Sequence, residues 1–347
     1  MPEKQLIYDF DLEEIASFVE DWGQPSYRAT QIWKALYQQL CESWEEFSTL
    51  PQSLRYMLEE NFSLSDLHPE VVLASQDNET TKTLFSLPDG AAIEAVLMRY
   101  SKRRTLCIST QAGCAMGCVF CATGQMGFRR NLTSGEIVAQ VIYYARQLDA
   151  IGERVTNVVL MGMGEPFHNY DASMQAIARL NHSGGMNLGA RRFTVSTVGL
   201  IPVIRRFTNE HRQLNLAVSL HTTDDQLRTS MLPVNRKYPV DELLDACRDY
   251  VRKTHRRITF EWALIRDVND MPEHARELGA RLQGMLCHVN VIPLNPTKGY
   301  EGQATTRQRA EAFQAELERF GIPCTIRVRR GIDIQAGCGQ LAIQRDA

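Results

Sequence analysis

The sequence predicts an α/β protein: a largely parallel sheet of βαβ units, preceded by a small helical module and a β-hairpin. Three observations predict it. From residue 105 onward, short apolar strand-like runs alternate with longer helical patterns. The first sixty or so residues show helical spacing instead. Between these regions, two strand-like runs flank PDG at 88–90, a turn signal.

Taking the elements in order, residues 11–20 carry apolar side chains at helical spacing, with Asp11 placed to cap the N-terminus and acids in the first turn. A break follows at 23–27. A second helix is expected over 28–40, with Ile32, Leu36 and Leu40 on one stripe, and a short third over 54–62. The hairpin strands fall at 81–87 and 91–98. Later strands are expected at 105–109, 157–161, 192–196, 215–220, 258–264, 289–294 and 324–328. Helices are expected at 134–149, 171–181, 241–254, 272–285 and 306–320. Such alternation implies parallel strands, and reactive groups then gather at their C-terminal ends.

The chain has 347 residues, beyond the usual single-domain size, so a large unit plus a smaller one is expected. No apolar run approaches the roughly 18 to 20 residues that span a bilayer, and the N-terminus lacks a signal-peptide pattern. Cytoplasm is the default compartment, with no membrane partner. Charge is uneven: residues 1–80 carry 16 acidic and 4 basic side chains, residues 81–347 carry 25 and 34. A basic main unit is suited to phosphate. Basic clusters at 102–104, 129–130, 191–192, 252–253, 256–257 and 327–330 lie mostly beside expected strand ends, where an RNA backbone would pass.

Nine cysteines are too few for a disulfide-stapled fold, and four of them crowd into 107–121. QAGCAMGCVFCATG at 111–124 places Cys114, Cys118 and Cys121 on a glycine-containing loop after the first strand of the alternating region. Three thiolates there suit an iron–sulfur cluster or zinc. GMGEP at 162–166 ends the next strand. Ser196, Ser219, His221 and Asn295 fall at later strand ends and suggest a lined pocket. Taken alone, Cys107 reads as a mid-strand core thiol, and Cys338, between two glycines, as an exposed loop thiol. Cys41, Cys247, Cys287 and Cys324 read as small core residues.

The C-x3-C-x2-C spacing, with Phe120 before the last cysteine, resembles the radical-SAM superfamily signature. That resemblance implies a partial (β/α)6 radical-SAM barrel and a [4Fe–4S] cluster on Cys114, Cys118 and Cys121. One iron is left open to chelate S-adenosylmethionine, the source of a 5′-deoxyadenosyl radical. It also implies an S-adenosylmethionine pocket from Gly164, Glu165, Ser196, Ser219, Leu220, His221 and Asn295.

CAMGCVFCATGQMGFRRNLT at 114–133, GMGEP at 162–166 and GIDIQAGCGQL at 331–341 together resemble the RlmN/Cfr family of RNA methyltransferases, and YRATQIW at 27–33 matches that family's accessory helical domain. The resemblance covers nearly the whole chain. It implies an accessory domain over 1–70, a β-hairpin extension over 71–104 and a core over 105–347 that ends in a catalytic cysteine loop. It implies Cys338 as methyl carrier, Cys107 as the thiol that resolves the RNA adduct through a transient Cys107–Cys338 disulfide, and Glu94 as proton acceptor. Glu165-Pro166 and QMGF at 125–128 lean to the RlmN branch, hence to the adenine C2 product; C8 methylation, the Cfr-like outcome, is the alternative. The implied partners are 23S ribosomal RNA, an anticodon-adjacent adenosine of some tRNAs, and an electron donor such as flavodoxin or ferredoxin. One departure is Phe167-His168-Asn169, where Leu-Leu-Asn is more familiar.

Overall fold

The computed structural model describes residues 4–343; the outermost residues of the two expected end units, 1–3 and 344–347, lie outside it. Its frame is a ten-stranded sheet. We number the strands β1 (His68–Ala74), β2 (Thr80–Ser86), β3 (Ala92–Tyr100), β4 (Arg103–Cys107), β5 (Asn157–Leu160), β6 (Phe193–Thr197), β7 (Asn215–Ser219), β8 (Ile258–Leu264), β9 (Cys287–Pro293) and β10 (Cys324–Ile326). Spatial order follows chain order throughout. β1 to β4 pair antiparallel, and β4 to β10 pair parallel. A parallel sheet wound in one direction curls toward a barrel, unlike the reversed order of an open dinucleotide-binding sheet. Because β4 and β10 are not neighbours in the sheet, the barrel is partial.

The helices expected at 134–149, 171–181, 241–254, 272–285 and 306–320 form at Ser134–Asp149, Tyr170–Asn181, Val240–Thr254, Pro272–Leu282 and Arg307–Arg319. Two more, Ile201–Asn209 and Asp225–Met231, complete the alternation and were not expected; each is too short for a clear periodic signature. The hairpin is also larger than expected. β1 adds a third antiparallel strand, its side chains largely exposed, so apolar alternation could not announce it. β3 then pairs directly with β4, making the extension continuous with the barrel sheet.

In the N-terminal module, Asp11 caps helix Leu12–Asp21 through a capping box with Glu14. The second helix is Tyr27–Tyr37, and Leu40 lies past its end in a left-handed turn. The third spans Gln52–Asn61. This module braces the barrel. The Asp9 carboxylate accepts the Gly135 N–H at 2.6 Å and the Ser134 hydroxyl at 3.1 Å, a negative charge on the positive end of helix Ser134–Asp149. Arg146 donates to the Leu40 and Cys41 carbonyls, and Arg179 to that of Asp9.

A Cβ on Gly135 would stand 2.7 Å from the Asp9 nitrogen. Gly135→Ala is therefore expected to destabilise by about 1–3 kcal/mol through overpacking, against the roughly 1 kcal/mol that alanine gains in a free helix. Chemical unfolding measures the sign directly.

Candidate active site

Local sequence explains how the cysteine loop closes. Gln111–Gly113 pairs with Phe128–Asn131 across it, and the Cys114 N–H donates to the Gly127 carbonyl at 2.8 Å. Gly113 has φ +75°, and a Cβ there would lie 2.0 Å from the Gly127 oxygen, so only glycine closes this neck. Inside the loop, the Cys121 N–H donates to the Cys118 carbonyl at 3.1 Å. Cys114 and Cys118 are buried, Cys121 is half-buried, and an apolar cluster of Met231, Leu232, Ile265 and Leu294 packs around Cys118.

Burial pushes the Cys114 thiol up to about 12 and the Cys118 thiol well above its usual range. Such thiols become thiolates against a metal charge. Among the described residues no three His, Cys, Asp or Glu side chains close on a point that would hold a single ion. Three thiols spread along one glycine-bent loop suit a multi-iron cluster with one iron free of protein, and lack the fourth ligand of a closed zinc site.

Beside this loop lies a cavity at the strand ends. Its wall includes Cys118, Phe120, Cys121, Gly164, Glu165, Ser196, Ser219, His221, Glu261 and Asn295. Six of the seven residues expected to hold S-adenosylmethionine therefore meet on one surface. Leu220 does not: its side chain is fully buried, and its backbone N–H and carbonyl go to the Glu261 carbonyl and Arg228. Gly164 has φ +99°, and a Cβ there would come within 2.5 Å of Gln111, so the backbone itself forms the wall.

Glu165 accepts N–H bonds from Phe167 at 3.0 Å and Val198 at 2.9 Å, while burial pushes it up to about 7. Its own N–H donates to Gln111 Oε1, and Gln111 Nε2 meets His168 Nδ1 at 2.8 Å, so the departure at Phe167-His168-Asn169 supports the motif from behind. His221 is pushed down to about 3 by burial and is neutral. Because the Ala263 N–H donates to its Nδ1 at 2.9 Å, its proton sits on Nε2. Two buried acceptors on this wall, Asn295 Oδ1 and Glu261 Oε2, have no hydrogen-bond partner among the described residues. A ligand rich in amino and hydroxyl donors satisfies such atoms. The residues present thus fit both the cluster and S-adenosylmethionine.

Sequence reading missed Glu261, hidden in a strand, and Arg228. The Arg228 guanidinium, fully buried, donates to the Val198, Ser219 and Leu220 carbonyls and to Asn235 Oδ1, tying together the loops after β6 and β7. No motif marks it, because its acceptors are mostly backbone. Arg228→Met is expected to cost about 3 kcal/mol or more, because several buried neutral acceptors lose a charged donor and each unsatisfied group costs about 1–3 kcal/mol. It should also weaken S-adenosylmethionine binding, measured by equilibrium dialysis.

A second cavity shares Cys121, Met161, Gly162, Ile292, Asn295, Cys338 and Gly339 with the first, and Cys107 lines it. Cys107 ends β4, half-buried, and burial pushes its thiol up to about 12. Cys338 is exposed, and Asn295 Nδ2 donates to its carbonyl at 3.1 Å. All nine cysteines are free thiols, so no Cys107–Cys338 disulfide is present in this form. Cys41, Cys247, Cys287 and Cys324 are buried, as expected. Glu94 lines neither cavity. It is buried, ion-paired with Lys82 at 3.1 Å, and accepts the Ala342 N–H at 2.9 Å.

The basic clusters divide. Arg104, Arg130 and Arg252 are ion-paired with Glu153, with Asp89 and Glu136, and with Asp249. Arg327, Arg329 and Arg330 line the Cys107–Cys338 cavity; Arg330 is also paired with Glu79, and the guanidiniums of Arg103 and Arg330 pack on the Tyr100 ring at 5.0 and 4.4 Å. No helix among the described residues is long and apolar enough to cross a membrane.

Comparison with known proteins agrees with this architecture. Residues 108–278 match the model of the radical SAM superfamily, and residues 6–64 that of the ribosomal RNA large subunit methyltransferase N-terminal domain. The chain is 50% identical to "Dual-specificity RNA methyltransferase RlmN 1" of Myxococcus xanthus, over 96% of this chain and 93% of that one. It is 48% identical to "Probable dual-specificity RNA methyltransferase RlmN" of Chloroflexus aurantiacus, over 98% and 93%. The crystal structure of a radical SAM methyltransferase from Sphaerobacter thermophilus superposes with a TM-score of 0.95 at 49% identity, covering 97% of this chain and 99% of that one. Enzymes of this superfamily use a [4Fe–4S] cluster and S-adenosylmethionine. On sequence, fold and site together, the chain belongs to the RlmN family of radical SAM RNA methyltransferases.

Proposed function

We propose that the protein methylates C2 of an adenosine in 23S ribosomal RNA, and of an adenosine beside the anticodon of some tRNAs, through a methyl group carried on Cys338. The observation that carries this reading is the shared cavity of Cys107 and Cys338, which opens on the wall formed by Cys121 and Asn295. Cys114, Cys118 and Cys121 would hold a [4Fe–4S] cluster, which, with a donor such as flavodoxin or ferredoxin, would supply the electron for cleaving S-adenosylmethionine to a 5′-deoxyadenosyl radical. Gly164, Glu165, Ser196, Ser219, His221 and Asn295 hold that molecule; Leu220, whose backbone groups are bonded to Glu261 and Arg228, stands behind the wall they form.

The Cys338 thiolate first displaces a methyl from one S-adenosylmethionine. The S-methyl group would then give a hydrogen atom to the 5′-deoxyadenosyl radical, leaving 5′-deoxyadenosine, and its carbon would bond to adenine C2, with one electron returning to the cluster and the ring proton passing to a base. The Cys107 thiolate then attacks the Cys338 sulfur. The sulfur–methylene bond breaks, its electron pair stays on carbon, and a proton completes the methyl. A Cys107–Cys338 disulfide remains. Glu94 can accept the ring proton only after Ala342 releases its carboxylate; Cys107 already faces the cavity. The Arg327 and Arg329 guanidiniums, which line the cavity, and the Tyr100 ring suit the phosphates and an extruded base.

The test is an anaerobic reaction with S-adenosylmethionine, a reductant and a ribosomal RNA fragment, followed by nucleoside mass spectrometry. 2-Methyladenosine supports the reading, and 8-methyladenosine alone overturns the C2 assignment.

A further inference from the structure

We propose that the buried Lys82–Glu94 pair clamps the loop bearing Cys338, which makes Lys82 a positioning residue for the methyl carrier; the functional meaning of the clamp rests on the role proposed for Cys338 above. The two residues lie on adjacent antiparallel strands, where Glu94 faces Leu84 and Lys82 faces Val96. Their side chains are 3% and 1% exposed and 3.1 Å apart. Removing two charges from water is costly, and mutual attraction compensates only when further hydrogen bonds are made. Both further bonds go to one loop. Lys82 Nζ donates to the Gln335 carbonyl at 3.4 Å, and Glu94 Oε2 accepts the Ala342 N–H at 2.9 Å. Cys338 lies between these two anchors.

Neither residue lines either of the two active-site cavities, and two apolar side chains would join β2 to β3 at least as well. What apolar residues cannot supply is a donor at one end of the loop and an acceptor at the other. The same segment is stitched to the extension upstream, where Asp333 accepts the Gln76 N–H at 2.8 Å and Arg330 pairs with Glu79. On the barrel side it is held at separate points: the Gly339 carbonyl accepts the Ala122 N–H at 2.7 Å, and Gln340 donates to the Pro296 carbonyl at 3.0 Å. The extension thus grips one side of the Cys338 loop and the cysteine loop of the barrel grips the other. Lys82 and Glu94 supply the buried charges of the first grip.

The test uses the anaerobically isolated holoenzyme and follows alkylation of Cys338 by iodoacetamide, by peptide mass spectrometry, alongside the unfolding midpoint. In Lys82→Met, Cys338 should be alkylated about tenfold faster, the factor that loss of one charge-assisted hydrogen bond brings, while Lys82→Arg should stay near the parent rate. The double variant Lys82→Met/Glu94→Leu separates clamp from scaffold. It removes the buried charges, so its midpoint should return to or exceed that of the parent, yet Cys338 should remain fast. Ala342→Pro deletes the N–H that Glu94 accepts without touching the hairpin, and should also speed alkylation. Parent-like alkylation in the double variant and in Ala342→Pro would overturn the proposal and leave the pair as a strand fastener. Mass spectrometry of the parent after incubation with S-adenosylmethionine, checking for a methyl on Cys338, tests the carrier role separately. Its absence would sink that role and leave the clamp to be judged on alkylation alone.

Discussion

Cys338→Ala is expected to abolish RNA methylation while leaving the fold intact. The side chain is exposed to the cavity, so truncation removes no packed surface and should change stability by no more than about 0.5 kcal/mol. Its loss removes the atom on which the methyl group travels. Rate should fall by roughly 10⁴-fold or more, the scale seen when a covalent nucleophile is deleted, and no methyl should be found on the protein after incubation with S-adenosylmethionine. Cys338→Ser should be equally inactive, because a serine hydroxyl near neutral pH is a poor nucleophile without a base. Nucleoside mass spectrometry of the RNA measures the outcome. Appreciable 2-methyladenosine from Cys338→Ala would end the carrier reading.

Cys107→Ala is expected to behave differently: one turnover begins and does not finish. Without the second thiol nothing attacks the Cys338 sulfur, so the RNA stays joined to the protein through a methylene bridge. A denaturing gel should show a species carrying both protein and RNA, absent from the double variant Cys107→Ala/Cys338→Ala. Product should fall by at least about 10²-fold, since the remaining route is uncatalysed. Cys107 is half-buried at the end of β4, so the truncation should cost only about 1 kcal/mol. Normal product yield from a folded Cys107→Ala protein would exclude the resolving role.

Much of the fold was legible because its signals are local. Asp11 with Glu14 announces a helix start within four residues, and that capping box is present. The strand–helix alternation after residue 105 follows from side-chain periodicity over windows of about 11–18 residues. β1 escaped because an edge strand with exposed side chains has no buried face to mark it. The split of the basic clusters was also out of reach, since Arg130 looks like Arg329 until Asp89 and Glu136 are folded beside it.

The sequence by itself determined the cysteine loop, the glycine motif after β5 and the membership of one family, because each resides in a short contiguous string whose spacing is the chemistry. Tertiary structure alone decided that Arg228 ties the strand-end loops together, that Asp9 seats the helical module on Gly135, and that Glu94 is held by Lys82 and Ala342 instead of facing the cavity. Those partners meet only when the sheet closes the distance between segments as remote as 82 and 335, and backbone atoms, which every residue has, make up one side of most of these contacts. A sequence carries no mark for which carbonyl or N–H will be left over for a buried charge, because that is settled by how the elements pack.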